Sequence, residues 1–521
     1  MSMLQISLWV VVGIVASCVL AVALGLTRLP AREHADDSRA TPPGTESWLD
    51  RRIEPLLRAH PEESGFALVA DGVEAFALRA LSARRAGRSL DIQYYIWKDD
   101  LTGRLLVHEL VDAAERGVRV RLLLDDLDAR AKDFALGALD AHPNIEVRVF
   151  NPFASRRGLA GKLLELVTGF SRINHRMHNK IFIVDNRFAI TGGRNIGDEY
   201  FAANDHMNFF DLDLVLLGPA VLASSDTFDA YWNSAAVWPL AALKRASVDT
   251  KELRALRTRA DAELERARSS SYVRSLAGDD ALQRVLHHGL PVHWTRHWQV
   301  LADDPLKSIQ KDCAFERSAV LRALDAAMSS ARSAVTLVSP YFVPGAAGTE
   351  SFGKRAGAGL EIVILTNSLA ATDVAAVHGG YAKYRRALIA SGVRLWELKP
   401  DPTSSRLRPS LFGSSNASLH TKAALFDRRH LFVGSFNLDP RSVTLNCEQG
   451  VLVDDAELSC EVADLLTQKM GRDLAWRVQL DARGRLLWSD GREQFHSEPR
   501  ATLGRRALAF VVGLLPFESQ L

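Results

Sequence analysis

His178-NKIFIVDNRFAITGGR-Asn195 and His420-TKAALFDRRHLFVGSF-Asn437 decide how this chain is read. In both stretches Lys follows His by two residues, Asp by seven and Asn by seventeen. A single H-x-K-x4-D match in 521 residues is a weak signal. Two matches with equal offsets, each closed by Gly-x-x-Asn, form an internal repeat. The apolar run after each His predicts a strand, where residues two apart share a face. His178 and Lys180 should therefore project together, as should His420 and Lys422.

These residue types suit a phosphodiester without a metal or other cofactor. One imidazole can attack phosphorus and form a phosphoryl-histidine, while the other protonates the leaving oxygen and then acts as base. Lys180 and Lys422 would hold the non-bridging oxygens, with Asn195 and Asn437 donating to the same atoms. Each ring also needs an orienting carboxylate. Aligning the apolar runs after Asp211-Leu212-Asp213 and after Glu448 pairs Asp211 with Glu448 and leaves Asp213 as a competitor. Asp185 and Asp427 complete the catalytic motif. They lie an odd number of residues past their His, so they should face away and hold turns or bridge lobes. Gly193 stands where the second block has Ser435, so the half-sites are chemically unequal; Ser435 is taken as a substrate contact.

Working outward, both halves follow one plan. The first has strand-like Leu90–Trp97, a helix over Thr102–Arg116, then strands at Val118–Asp126 and Ile145–Phe150. The second has Val335–Val343, Leu360–Ser368 and Val393–Leu398 with helical stretches between. Alternating β and α runs predict an α/β fold of two pseudo-repeated lobes, each a mixed, mostly parallel sheet flanked by helices. The expected organisation is an anchor at 1–30, a linker at 31–47, a first lobe at 48–240, a helical connector at 241–329, a second lobe at 330–500 and an amphipathic segment at 501–521. In the connector, Leu253, Leu256, Ala260, Leu264 and Ala267 mark one face of a helix.

Residues 6–26 carry no charge and have the length of a bilayer-spanning helix, predicting an N-terminal transmembrane helix. No Lys or Arg precedes them, which argues against a cleaved signal peptide. Arg28, Arg32 and Arg39 follow, which favours a cytoplasmic body. Net charge is +2 from 64 basic and 62 acidic residues, a balance that weighs against a dedicated nucleic-acid binder. The four cysteines show no C-x-x-C spacing, so neither a zinc site nor a disulfide framework is indicated.

The two blocks resemble the phospholipase D superfamily. LDIQYYIWKDDLTGRLL, FNPF and TNSLAATDVAAVHGGY are more similar to bacterial cardiolipin synthases, in particular to the C type. The resemblance covers nearly the whole chain after residue 48. It implies a transphosphatidylation at a bacterial inner membrane, with phospholipids as substrates. A phosphatidyl group passes to a histidine, then to the free hydroxyl of phosphatidylglycerol, giving cardiolipin. The donor is phosphatidylethanolamine for the C type and phosphatidylglycerol for others. It further implies His178 as nucleophile and His420 as acid/base. Residues at the carboxyl ends of central strands are candidate head-group contacts: Asn367, Ser368, Asp373, His378 and Tyr381, with Asp125 and Asp126 in the first half. The residues leave a hydrolase open as the alternative, either a phospholipase D or a phosphodiesterase on nucleic acid. A non-catalytic scaffold fits less well, because both half-sites keep His, Lys and Asn.

Overall fold

The computed structural model describes residues 9, 12–17, 20, 29–32, 36–129, 133–154, 170–204, 207–243, 250–267, 272–273, 291–308, 318–400, 419–514 and 518. Two mixed sheets organise the chain. The first contains β1 (Ser64–Val69), β2 (Ser89–Tyr94), β3 (Arg119–Asp125), β4 (Ile145–Phe150), β5 (Ile181–Val184), β6 (Phe188–Gly192), β7 (Asp213–Leu217), β8 (Val237–Pro239) and β9 (His293–Thr295). Its order is β8-β4-β3-β2-β5-β6-β7-β1-β9. The second contains β10 (Trp298–Ala302), β11 (Ala334–Val338), β12 (Glu361–Asn367), β13 (Arg394–Leu398), β14 (Ala423–Phe426), β15 (His430–Gly434), β16 (Gln449–Asp454), β17 (Ala475–Leu480), β18 (Leu486–Ser489) and β19 (Gln494–Phe495). Its order is β10-β16-β15-β14-β11-β12-β13-β17-β18-β19.

The sheets are mixed as expected, but they are not mostly parallel. Only β2-β3-β4 and β11-β12-β13 pair in parallel; every other neighbour is antiparallel. The βαβ units supply the parallel core of each lobe. The two motif blocks fold as hairpins, β5-β6 and β14-β15, and hairpins pair antiparallel.

The lobes pack through these hairpins. Ile181 and Ile183 of β5 and Ala423 and Leu425 of β14 enter one core shared by both sheets. Their neighbours Phe182 and Val184 enter the first lobe's own core, and Ala424 and Phe426 the second's. Alternation along each strand thus binds every hairpin to two cores at once.

Asp185 and Asp427 explain how each hairpin is fixed. Asp185 accepts from the backbone N–H groups of Gly87, Arg88 and Ser89 at the start of β2. Asp427 does the same for Arg332, Ser333 and Ala334 before β11. Those bonds outweigh burial and hold the Asp427 carboxyl down at about 2. Both aspartates are structural, but each acts within its own lobe rather than bridging lobes.

The described part of the 31–47 linker lies against the first lobe: Arg32 donates to the carbonyls of Ser234 and Val237, and Ala40 N–H to Asp229. The 241–329 connector has its helix at Thr250–Ala267, against the helix Leu101–Glu115, with Asp261 Oδ1 3.2 Å from His108 Nε2. It also gives β9 to the first sheet and β10 to the second, so it belongs to both lobes. Most of the 6–26 anchor lies outside the described residues. Among those described, no helix is long and apolar enough to cross a membrane.

Candidate active site

The motif His and Lys do not lie on the strands. β5 begins at Ile181 and β14 at Ala423, each one residue after the Lys. The short segments before the strands instead pair across the lobes. Met177 bridges Cys447, and Phe210 bridges Leu419. His178 N–H donates to the Cys447 carbonyl at 2.9 Å, and His420 N–H to the Phe210 carbonyl at 2.9 Å.

These crossings set each imidazole beside a carboxylate of the other lobe. His178 Nδ1 is 3.2 Å from Glu448 Oε1. His420 Nδ1 is 2.6 Å from Asp211 Oδ2. Glu448 and Asp211 occupy matching places: Gly434 pairs with Gly450 and Gly192 with Asp213, and each carboxylate lies two residues before that partner. The competitor Asp213 is bound elsewhere, 2.9 Å from Arg79 and 3.3 Å from Arg194, all three buried.

The site is nearly closed, yet the two imidazole side chains keep 17% and 13% of their surface exposed, enough to meet a substrate. Burial lowers both rings. His420, with Lys422 adding to the effect, falls to about 4, and His178 shifts in the same direction against the pull of Glu448. Burial pushes Glu448 and Asp211 up, but the adjoining His charges and hydrogen bonds win and hold both carboxyls low. Buried Lys180 falls to about 7 and buried Lys422 to about 8. Lys180 is close enough to disfavour the charged form of His420, and Lys422 to disfavour that of Lys180. The two half-sites are therefore one electrostatic unit. Lys422 Nζ stands 3.1 and 3.2 Å from the ring nitrogens of His420.

The Gly193/Ser435 difference has a steric cause. A Cβ at Gly193 would sit 2.2 Å from Asp211 Oδ1. On the other side Ser435 Oγ donates to Glu448 Oε2, and Ser442 Oγ donates to Glu448 Oε1 at 2.9 Å. Ser435 thus supports a carboxylate and is not placed as a substrate contact. Asn195 accepts from Ile96 N–H and donates to Tyr200 OH, while Asn437 Oδ1 is buried with no hydrogen-bond partner among the described residues.

Of the seven expected head-group contacts, two act on the site lysines, Asp373 on Lys422 and Asp125 on Lys180. Asp373 accepts from Tyr341 OH at 2.6 Å, and its charge favours the ammonium of Lys422. Asp125 accepts from Met177 N–H at 2.9 Å, and Asn367 from Leu419 N–H at 3.3 Å. They fix the residue before each motif His, a job that strand-end positions share in both lobes. Asp126 holds Phe153 N–H, and Ser368 holds Ala371 N–H. His378 and Tyr381 belong to a separate buried group with Glu397 and Glu498 around Arg385. Polar atoms of these residues are engaged with backbone or with one another.

The sequence did not point to the aromatic walls. The Tyr95 ring centroid lies 4.3 Å from that of His178, tilted at 49°, and those of Tyr200 and Phe209 lie 5.0 and 5.2 Å from that of His420. Only the place of Tyr95, directly after β2, could have drawn notice. Asp303 was also missed: it accepts from Glu448 N–H, Lys307 and Ser318, tying the connector to the site.

Two lobes meeting through paired His-x-Lys segments define a phospholipase D-like protein. Residues 82–232 and 324–474 match the family described as "Cardiolipin synthase, PLD-like domain", and the chain belongs to that family. It is 40% identical over 477 residues to cardiolipin synthase C of Escherichia coli (strain K12), covering 90% of this chain and 99% of that protein. An uncharacterized protein of Helicobacter pylori (strain J99) is 35% identical over 83% of this chain and 84% of its own. A cardiolipin synthase of Staphylococcus aureus (strain Mu50) is 26% identical over 80% and 69%. The crystal structure of phosphatidylserine synthase from Haemophilus influenzae Rd KW20 superposes with a TM-score of 0.54 at 13% identity, over 82% of this chain and 91% of that one, a likeness of fold.

Proposed function

We propose that the protein is a phosphatidyltransferase that makes cardiolipin from phosphatidylglycerol and a second phospholipid, phosphatidylethanolamine or phosphatidylglycerol. One observation supports this reading: each motif imidazole is backed by the other lobe's carboxylate, and the lysine of one motif lies within electrostatic reach of the histidine and lysine of the other. The kinship with cardiolipin synthase C supports the choice of lipid.

His178 attacks the donor's phosphorus. The bond to the head-group oxygen breaks, and His420, whose charged form the bound phosphate anion and Asp211 favour over that of the free enzyme, delivers its proton to that oxygen. The phosphatidyl group rests on His178 while the free alcohol leaves. His420, now neutral, takes the proton of the phosphatidylglycerol hydroxyl as that oxygen attacks phosphorus. Cardiolipin forms and His178 is released. Lys180 and Lys422 balance the equatorial oxygens through both steps. The order of the two histidines follows the superfamily pattern. Rapid quenching with head-group-cleavable, phosphorus-labelled lipid should leave label on His178; label on His420 reverses the order.

The uncharged 6–26 stretch supports a membrane anchor, and the arginines after it support a cytoplasmic body. The alternative is a phospholipase D with water as second acceptor. Expression in cells lacking cardiolipin, followed by lipid chromatography, separates the two. The synthase restores cardiolipin; phosphatidic acid without cardiolipin would reject it. Defined donor lipids in the same assay identify the head group released.

A further inference from the structure

The helix Leu503–Leu514 is built with its large apolar side chains outward. Leu503, Leu508, Phe510, Val511 and Leu514 are exposed, Phe510 by 69%. Its inner side is made of small residues. Ala509 is buried, and a Cβ at Gly379 would come 2.3 Å from the Ala509 carbonyl, so the two helix backbones touch directly. Val374, exposed at the start of the neighbouring helix Ala375–Ala382, extends the patch. Of nine exposed large apolar side chains described beyond residue 30, six belong to this patch. A helix that only needed to pack on the body would show the reverse arrangement.

The same helix is tied to the site. Arg505 Nε donates to the Leu369 carbonyl at 3.0 Å, and Arg505 also reaches the Thr372 carbonyl. The next residue is Asp373, whose charge acts on both Arg505 and Lys422. One loop therefore links the apolar face to the catalytic lysine.

Charge identifies the occupant. The only charged residues in 503–514 are Arg505 and Arg506; there is no carboxylate. A second copy would bring the same two arginines to the same rim, whereas a phospholipid surface brings phosphates. We propose that the helix Leu503–Leu514 seats its outer face in the interface of an anionic phospholipid bilayer and holds the Leu369–Asp373 loop, with the mouth of the site, against the lipid. This proposal rests on the lipid-transfer reading above.

The test uses the full chain reconstituted in vesicles of phosphatidylglycerol and phosphatidylethanolamine. Residues 6–26 would keep any variant attached, so catalysis and depth are measured rather than sedimentation. The double substitution Phe510→Asp, Val511→Asp should lower turnover of vesicle lipid by about tenfold or more. Turnover of monomeric dihexanoyl phosphatidylglycerol should be unchanged. Unchanged vesicle turnover, or equal loss on both substrates, overturns the proposal. So does a dimer broken by the double substitution without loss on vesicles, which assigns the face to a second copy. Depth is read without activity: Phe510→Trp should add fluorescence that nitroxide-labelled lipid quenches, beyond the signal of the ten native tryptophans. No added quenching overturns the bilayer contact. A wild-type chain that turns over neither lipid while position 510 is quenched would instead overturn the lipid-transfer reading.

Discussion

His178 of the first lobe has its Nδ1 3.2 Å from Oε1 of Glu448 in the second, and neither lobe alone contains a complete half-site. In the proposed mechanism Glu448 would fix the tautomer that presents Nε2 to phosphorus and steady the ring when it becomes charged. Glu448→Gln preserves size and the Ser442 contact but removes the charge. Turnover should fall by about 10³–10⁴-fold with KM little changed. Steady-state kinetics on defined lipid vesicles checks this, and a loss below tenfold would remove the orienting role.

The unequal half-sites respond unequally to small changes. Gly193→Ala forces a methyl against Asp211, whose other side is held by His420. It should displace the carboxylate and abolish most activity. Ser435→Ala removes one of two hydroxyl donors to Glu448, leaving Ser442 in place. Its cost should be about 1–3 kcal/mol in transition-state terms. Comparing kcat/KM for the two variants decides the point; equal effects would contradict the steric argument.

Burial brings Lys180 down to about 7, so the free enzyme loses this ammonium as pH rises through that value. Phosphate attraction goes with it, and kcat/KM should fall on the alkaline side. Lys180→Arg, whose guanidinium stays charged, should remove that limb from the profile. For stability the sign is opposite. Between about 7 and the ordinary 10.5 the unfolded chain binds more protons at this residue than the folded one, so its contribution to folding improves with pH in that window.

Asp213, sequence rival to Asp211, should behave as a structural residue. Asp213→Ala strands the buried guanidinium of Arg79, which keeps Tyr94 OH as a partner but loses its carboxylate. Breaking such a pair costs about 3–5 kcal/mol. Denaturant unfolding should show that loss. If stability is unchanged while turnover collapses, Asp213 rather than Asp211 serves the chemistry.

Much of the fold could be read in advance. The strand at Ile145–Phe150 and the helix following Asp100 fall where their patterns put them, since strand alternation and helix capping are local. Sheet direction was misread because βα alternation speaks for three strands of each sheet and is silent about the hairpins beside them. The bonds that the head-group candidates make were not legible for a related reason. Asn367 and Asp125 sit at strand ends as expected, but whether a polar side chain faces a ligand or a backbone amide depends on what packs beside it. His378 turned out to be enclosed by Arg385 and Glu498, the latter far along the chain.

The sequence by itself determined the duplicated motif block, the two His-Lys pairs and the equivalence of Asp211 with Glu448, because these are offsets along the chain that repeat in both halves. Only the tertiary structure decided that each histidine takes its carboxylate from the opposite lobe. That choice depends on the interlobe bridges Met177–Cys447 and Phe210–Leu419, contacts between segments that no local pattern relates. It also decided the charge states, since burial moves Lys180 and His420 far from their ordinary values, and burial belongs to the assembled molecule.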